Sequence, residues 1–403
     1  MTRLRVAVVA HGRFHAFDLA RELHRQGHDV TVLSNYPSWA VERFGIESGW
    51  YRGLTAHGVT ERALARLLPR SLPGTEAARH QWFGRWATRV LEREEWDVVH
   101  CWSGISEELL TSKRLRAGAR VLMRGSAHIA EQAALLREEE SRIGRPVERP
   151  SAWMIGREQR EYERADHIVV LSEFARASFE RRGISADRLS VLPLGVDVEA
   201  FRAPEASVQV RVDRILSGRP LRVLYVGALS ARKGLVDLLE TARRCEGLPI
   251  EFALVGPWVS ETESLLKGAA PNVVVRGSRR QADLPTEYWN ADLFFFPTIE
   301  DGFGMVLTQA IAAGCPVLAT GHCAAPDLVQ AGAAGWVLPI RRPDAFETRI
   351  RWCHENRAEL ADVIRAHATT PVHIRSWHDV ATEFAAAAPA WIEQRPLVEG
   401  KAT

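Results

Sequence analysis

Along most of the chain, short apolar runs alternate with amphipathic stretches, the order expected when helices cover both faces of a parallel sheet. Arg5–Ala10 reads as a strand, 16–26 as a helix stopped at Gly27, and 29–33 as the next strand, together one right-handed βαβ unit. Strands over 97–102, 120–124, 167–171 and 189–192 continue the same half. The rhythm breaks over 197–218, where Pro204, small polar residues and an isolated helix lead to Gly218 and Pro220. A second alternation follows, with strands Leu221–Val226, Ile250–Val255, 272–276, 292–296 and 316–320 and helices from Lys233 and over 305–313. The pattern predicts an α/β chain of two doubly wound, Rossmann-like domains, 1–197 and 220–375, joined by a linker over 198–219. A terminal segment, 376–403, is expected to form a helix returning to the first domain. The length of 403 residues agrees with two units, at roughly 150 residues per domain.

Composition narrows the function classes. Lys and Arg number 52 against 50 Asp and Glu, a net charge of +2, which is too near neutral for a protein that binds nucleic acid by neutralising many phosphates. Five scattered cysteines without a C-x-x-C pair exclude a disulfide framework and a structural zinc site. The apolar run before His11 is too short for a signal peptide, so the expected compartment is reducing and cytoplasmic. Residues 302–326 carry no Asp, Glu, Lys or Arg and are long enough to span a bilayer. Gly314, Pro316 and Gly321 interrupt them, and Gln309 and His322 would sit in lipid, so a buried helix, turn and strand is expected instead.

Ligands of open α/β sheets sit beyond the C-terminal ends of the strands, which directs attention to the loops there. After Leu221–Val226 comes Gly227-Ala228-Leu229-Ser230-Ala231-Arg232-Lys233-Gly234, a flexible turn delivering two cations to a helix start, where anions bind well. After 293–296 comes Pro297-Thr298-Ile299-Glu300-Asp301-Gly302-Phe303-Gly304-Met305. Its glycines allow close backbone approach, and the helix behind points its positive end outward. Asp301 and Gln309 then line one side of a bound molecule. Taken singly, the Arg-Lys pair is equally a solvated turn, Asp301 an N-cap and Gln309 a helix surface position. In the first half, 120–124 leads into Gly125-Ser126-Ala127-His128. An imidazole at a strand exit suits acid-base work, and equally serves as a loop hydrogen-bonder.

The run Asp301-Gly302-Phe303-Gly304 through Gln309-Ala310 to Gly314-x-Pro316-Val317 resembles the nucleotide-sugar motif of the family 4 retaining glycosyltransferases of the GT-B fold. Arg232-Lys233-Gly234, Ser172-Glu173-Phe174, Pro193-x-Gly195-Val196-Asp197 and Trp377 agree in order and spacing. The resemblance implies two Rossmann-like domains facing across a cleft, a nucleoside-diphosphate-sugar co-substrate (UDP- or GDP-linked), no tightly bound cofactor and no metal ion. It assigns Lys233 and Arg232 to the diphosphate, with backbone N–H groups of Gly304, Met305 and Val306, beside Gly227, Gly302 and Phe303. Asp301, or Glu300 next to it, would hold sugar hydroxyls and Gln309 the ribose, while Arg276-Gly277-Ser278-Arg279 would meet the base. His128 takes the position of the family's active-site histidine, and His11 and Gly12, with Arg13 and His15 behind them, occupy the loop that approaches donor and acceptor. The usual Glu pair is replaced by Asp301 and Gln309, and the usual Arg after the first glycine is Ala228. The reaction implied is sugar transfer with retention to a hydroxyl acceptor in polysaccharide or glycoconjugate biosynthesis.

Arg62, Arg66, Arg70, Trp82, Arg85, Trp86 and Arg89 suit either an amphipathic helix lying on an anionic membrane, at its inner face with a lipid-linked acceptor, or core aromatics with solvated arginines. Among rival functions, a dinucleotide oxidoreductase lacks a G-x-G-x-x-G after the first strand, and Leu307 stands where a third glycine would follow Gly302-x-Gly304. A sugar-nucleotide epimerase shares the architecture with a different carboxylate set, and a glycoside hydrolase needs two flanking carboxylates. A nucleotide-sugar-binding protein without transfer is the non-enzymatic reading.

Overall fold

The computed structural model describes residues 3–67, 74–332, 334–369 and 373–394. Residues 395–403 of the terminal segment, Arg70 and the side chain of Arg66 lie outside the described residues.

Among the described residues thirteen strands form two wholly parallel sheets. The first contains β1 (Arg5–Ala10), β2 (Asp29–Ser34), β3 (Tyr51–Gly53), β4 (Glu95–Trp102), β5 (Arg116–Met123), β6 (His167–Val170) and β7 (Leu189–Val191), in the order β3-β2-β1-β4-β5-β6-β7. The second contains β8 (Leu221–Val226), β9 (Ile250–Val255), β10 (Val273–Gly277), β11 (Leu293–Phe296), β12 (Val317–Thr320) and β13 (Gly335–Leu338), in the order β10-β9-β8-β11-β12-β13. Strands such as Leu-Phe-Phe-Phe of β11 are buried along their whole length, as parallel strands covered on both faces must be. Two edge strands, β3 and β13, escape the sequence pattern: Tyr-Arg-Gly of β3 exposes its last two residues, and Gly-Trp-Val-Leu of β13 is only partly buried along its length.

Register decides where the loops open. Val9 pairs with Cys101, and Trp102 with Met123, so the chain leaves β1, β4 and β5 side by side. Leu224 pairs with Phe294, which likewise sets the loops after β8 and β11 next to each other.

The stretch expected as a linker, 198–219, is largely helical: Val198–Phe201 and Glu205–Leu216 pack on the second sheet, with Val212 and Ile215 in its core. Arg211 is wholly buried and donates to the carbonyl oxygens of Trp289, Ala313 and Gly314 at the ends of two helices. Those acceptors satisfy its donors, which offsets the desolvation of the guanidinium. The helix Trp377–Glu393 leaves the second domain and buries Trp377, Phe384 and Trp391 in the core of the first. The two crossings of the chain touch each other. Val196 N–H donates to Arg375 O at 3.0 Å, and a Cβ on Gly195 would lie 2.6 Å from the backbone of Ser376.

Candidate active site

The second domain supplies a charged rim. Gly234 has φ +80°, and a Cβ there would meet Pro297 O at 1.9 Å, so only glycine lets the 227–234 turn press on the loop after β11. The two segments are joined by Ile299 N–H donating to Arg232 O at 3.0 Å. Lys233 Nζ then pairs with the Asp301 carboxylate and lies 6.0 Å from the centre of the Phe296 ring. Burial, followed by the charge of Arg232, holds the Lys233 ammonium below its ordinary pKa. Burial would raise Asp301, but Lys233 and Arg232 outweigh it and keep the carboxyl below its usual value. Gly304, at φ +82°, caps the helix Met305–Ala312.

The first domain meets this rim closely. A Cβ on Gly302 would sit 2.3 Å from Gly125 O, and Ser172, the N-cap of Glu173–Glu180, donates to Gly302 O at 2.6 Å. Between the domains lies a cavity of about 530 Å³, lined from the second domain by Gly227, Lys233, Phe296, Asp301 and Phe303 to Val306. From the first domain come His11, Phe14, His15, His80, Trp102, Ser103, Arg124, Gly125 and Ser126. The imidazoles are uncharged at neutral pH. Burial first, then the neighbouring His80, His57 and Arg79, brings His11 down to about 3, and burial brings His15 and His80 to about 4. His15 lies between Trp102, 5.1 Å away, and Trp377, 6.2 Å away. Phe14 at the lip is exposed with φ +40°, a backbone state that non-glycine residues rarely adopt and that clusters at functional sites.

Several expected site residues are elsewhere. His128 is buried against Tyr162 and Phe179, caps Ile129–Ile143 through Nδ1 accepting from Ala130 N–H, and is not among the cavity's lining residues. The preceding Ser126 and Arg124 hold the wall instead. Gln309 is buried, its Oε1 accepting from Tyr288 OH at 2.9 Å. Arg276, near the end of β10, pairs with Glu251 and Glu287, and neither it nor Gly277 lines the cavity. Gly12 turns the loop at φ +84°, its N–H donating to Asn35 Oδ1 at 2.6 Å. Arg232 leans toward Glu300 and borders a neighbouring cavity of about 870 Å³. Glu300 does not face the cavity that Asp301 lines; it is fully buried and reaches into the first domain. Trp102, Ser103 and His80 were missed. The strand-exit rule finds the first two, whereas His80 lies within Thr75–Leu91 with no local signal.

Among the described residues one trio of potential metal ligands, His11, His57 and Glu61, lies together, with ligand atoms within 4.8 Å of one another. Both nitrogens of His57 and one oxygen of Glu61 are already engaged. His57 Nδ1 meets the Asn35 amide, His57 Nε2 meets Arg79 O, and Glu61 pairs with Arg79.

Comparison with known proteins agrees with this architecture. Residues 13–200 match the model described as Glycosyltransferase Family 4, and 211–370 the model described as Glycosyl transferases group 1. The chain is 30% identical over 268 residues to a GDP-mannose-dependent alpha-(1-6)-phosphatidylinositol monomannoside mannosyltransferase of Mycobacterium tuberculosis, covering 62% of this chain and 65% of that protein. It is 25% identical over 198 residues to the amylovoran biosynthesis glycosyltransferase AmsK of Erwinia amylovora, covering 46% of each. The chain spans about half to just under two thirds of the length of such curated relatives. Among solved structures, sucrose-phosphate synthase of Thermosynechococcus elongatus superimposes with a TM-score of 0.71 at 17% identity, covering 97% of this chain and all of that one. Anabaena HepE in complex with UDP and glucose gives 0.68 at 14% identity, covering 96% and all of that chain. The chain belongs to the family 4 glycosyltransferases and has their GT-B fold.

Proposed function

We propose that the protein transfers a sugar, with retention of configuration, from a nucleoside diphosphate sugar to a hydroxyl acceptor, using cations of its own chain rather than a metal ion to neutralise the leaving group. The observation that carries this reading is the Lys233–Asp301 pair beside the mouth of the Met305–Ala312 helix, facing a cavity between the two domains.

In this reading Lys233 and Arg232 receive the diphosphate, with N–H groups of Gly304, Met305 and Val306. Charge builds on the departing phosphate, so fixed cations and dipoles favour the transition state over the ground state. Once Lys233 turns to the phosphate, Asp301 is released for sugar hydroxyls. Gln309, whose carbonyl oxygen is taken by Tyr288, has its amide N–H groups for the ribose, and the backbone of 276–279 meets the base. The acceptor enters against His11, His15, His80 and Trp102. Imidazoles held at about 3 to 4 are weak bases at neutral pH, which favours the departing phosphate as the taker of the acceptor's proton. A UDP- or GDP-linked donor is supported by relatives and neighbours named for those nucleotides.

The acceptor is proposed to be a glycan or a lipid-linked glycoconjugate. Trp82, Arg85 and Arg89 stand exposed on one face of Thr75–Leu91, which suits contact with anionic lipid headgroups. Among the described residues no helix is long and apolar enough to cross a membrane. Flotation with anionic vesicles tests the contact, and protein left at the bottom of the gradient argues for an acceptor in solution.

The reading as a whole is tested by a thermal-shift screen of UDP, GDP, ADP and their common sugars, followed by NMR of the product's anomeric proton and assays with EDTA. Expected are stabilisation by one nucleotide class, since ligand at about 100 times its Kd adds about 2.7 kcal/mol, a retained anomer, and turnover indifferent to chelator. An inverted product or a rate abolished by EDTA overturns the mechanism.

A further inference from the structure

Glu300 is the residue next to Asp301, yet it does different work. Its carboxylate is fully buried, and its Oε1 accepts from Ala127 N–H at 2.9 Å and its Oε2 from Gln132 Nε2 at 2.7 Å. Both donors belong to the first domain, on the opposite side of the cleft. From its own domain Arg232 Nη1 approaches Oε2 at 3.3 Å and the Glu300 carbonyl oxygen at 3.4 Å, both long contacts. The network continues: Gln132 Oε1 accepts from Arg124 Nη2 at 2.9 Å, Arg124 pairs with Glu158 at 2.9 Å, and Arg124 lines the 530 Å³ cavity. One buried carboxylate therefore joins a cation of the proposed diphosphate side to the wall of the proposed acceptor side.

We propose that Glu300 is a positioning residue that holds Arg232 in place for the diphosphate when the two domains are closed. A buried carboxylate needs donors for both oxygens. In the closed molecule Ala127 and Gln132 supply them, and Arg232 is held by long bonds only. When the domains separate, both donors withdraw with the first domain, and the carboxylate takes the full charge of Arg232, drawing it from the cleft. Ser172 on Gly302 and the close approach of Gly302 to Gly125 fix the same loop from the same side, so closure sets Glu300 and Asp301 together. This inference rests on the donor reading above, in which Arg232 meets the diphosphate.

The test uses the full chain, with UDP and GDP binding measured by calorimetry and kcat and KM measured with the donor that stabilises it. Glu300→Ala is expected to lower kcat about 10- to 30-fold, as loss of a buried charged hydrogen bond does, while Kd for the nucleoside diphosphate changes less than about threefold, within the scatter of a neutral contact. Gln132→Ala is expected to lower kcat by a smaller factor, and the double variant to be no slower than Glu300→Ala alone, because both act through one carboxylate. Glu300→Gln, whose amide oxygen still accepts one donor, recovers part of the rate. Equal losses in kcat and Kd, or effects of Glu300→Ala and Gln132→Ala that simply multiply, overturn the coupling. Should Glu300→Ala not fold, Glu300→Gln paired with Gln132→Ala gives the same cycle. A wild-type chain that binds neither nucleotide overturns the donor reading and this inference with it, whereas binding with multiplying effects overturns the coupling alone.

Discussion

On the second domain's side of the cavity charge is concentrated, with Lys233, Asp301 and, one step back, Arg232 and Glu300, held by glycines that bring backbone within touching distance. On the first domain's side the groups are His11, His15, His80 and Trp102, polar or aromatic and without net charge at neutral pH. Arg124, the cation of that wall, is already matched by Glu158. The difference follows what each wall is proposed to meet. A diphosphate leaving group needs compensation of charge that develops during reaction, whereas a sugar hydroxyl needs shape, stacking and hydrogen bonds.

The contrast can be broken in four ways. Lys233→Ala is expected to cut turnover by roughly two to three orders of magnitude, the scale of losing one oxyanion donor, in initial-rate assays with circular dichroism confirming the fold. A near-normal rate removes Lys233 from the chemistry and erases the charged wall's role. The neutral wall has its own signature in stability. Imidazoles held below 6.5 bind protons in the unfolded chain first, so their contribution is complete above about pH 6.5 and is lost as pH falls toward 4. Thermal denaturation at pH 7 and pH 5 is expected to differ by at least several degrees, a loss on the order of 2 kcal/mol for each such imidazole, with His80→Asn removing part of the slope. A flat profile means the imidazoles titrate normally. Trp102→Phe is expected to raise the acceptor KM about three- to tenfold, the worth of about 1 kcal/mol of aromatic contact, with donor KM unchanged; a shift in donor KM instead would blur the two walls. His128→Asn is expected to change turnover by less than about twofold, because asparagine keeps the N-cap and the ring lies outside the cavity. A large loss would return His128 to the active site.

The sequence carried the two-domain α/β architecture because the central strands hold short apolar runs, such as Val-Ala-Val-Val-Ala of β1 and Leu-Phe-Phe-Phe of β11, and the charged wall because its residues are contiguous in two loops, 227–234 and 297–305. The neutral wall is assembled from residues far apart in the chain, such as His11, His80 and Trp102, and their meeting depends on the register of β1 against β4. His80 lies within a helix, on no strand exit, so local pattern gives it no mark. His128 shows the opposite case. It stands at a strand exit as expected, but its backbone enters a helix at that residue, and capping turns the ring inward to Phe179. Gln309 likewise keeps its spacing from Asp301 while its oxygen is spent on Tyr288. The short, partly exposed Gly335–Leu338 at the sheet edge left no alternation to read.

The helix Trp377–Glu393 completes the core of a domain whose other parts precede residue 197. During synthesis that core must wait, with the surface meant for Phe384 and Trp391 uncovered, until the whole intervening domain has been made. The second domain, from Leu221 onward, has all its strands before then. Ribosome-bound chains should therefore acquire the later-encoded half as a finished unit before the earlier-encoded half is sealed, an inversion of the order in which the two were translated.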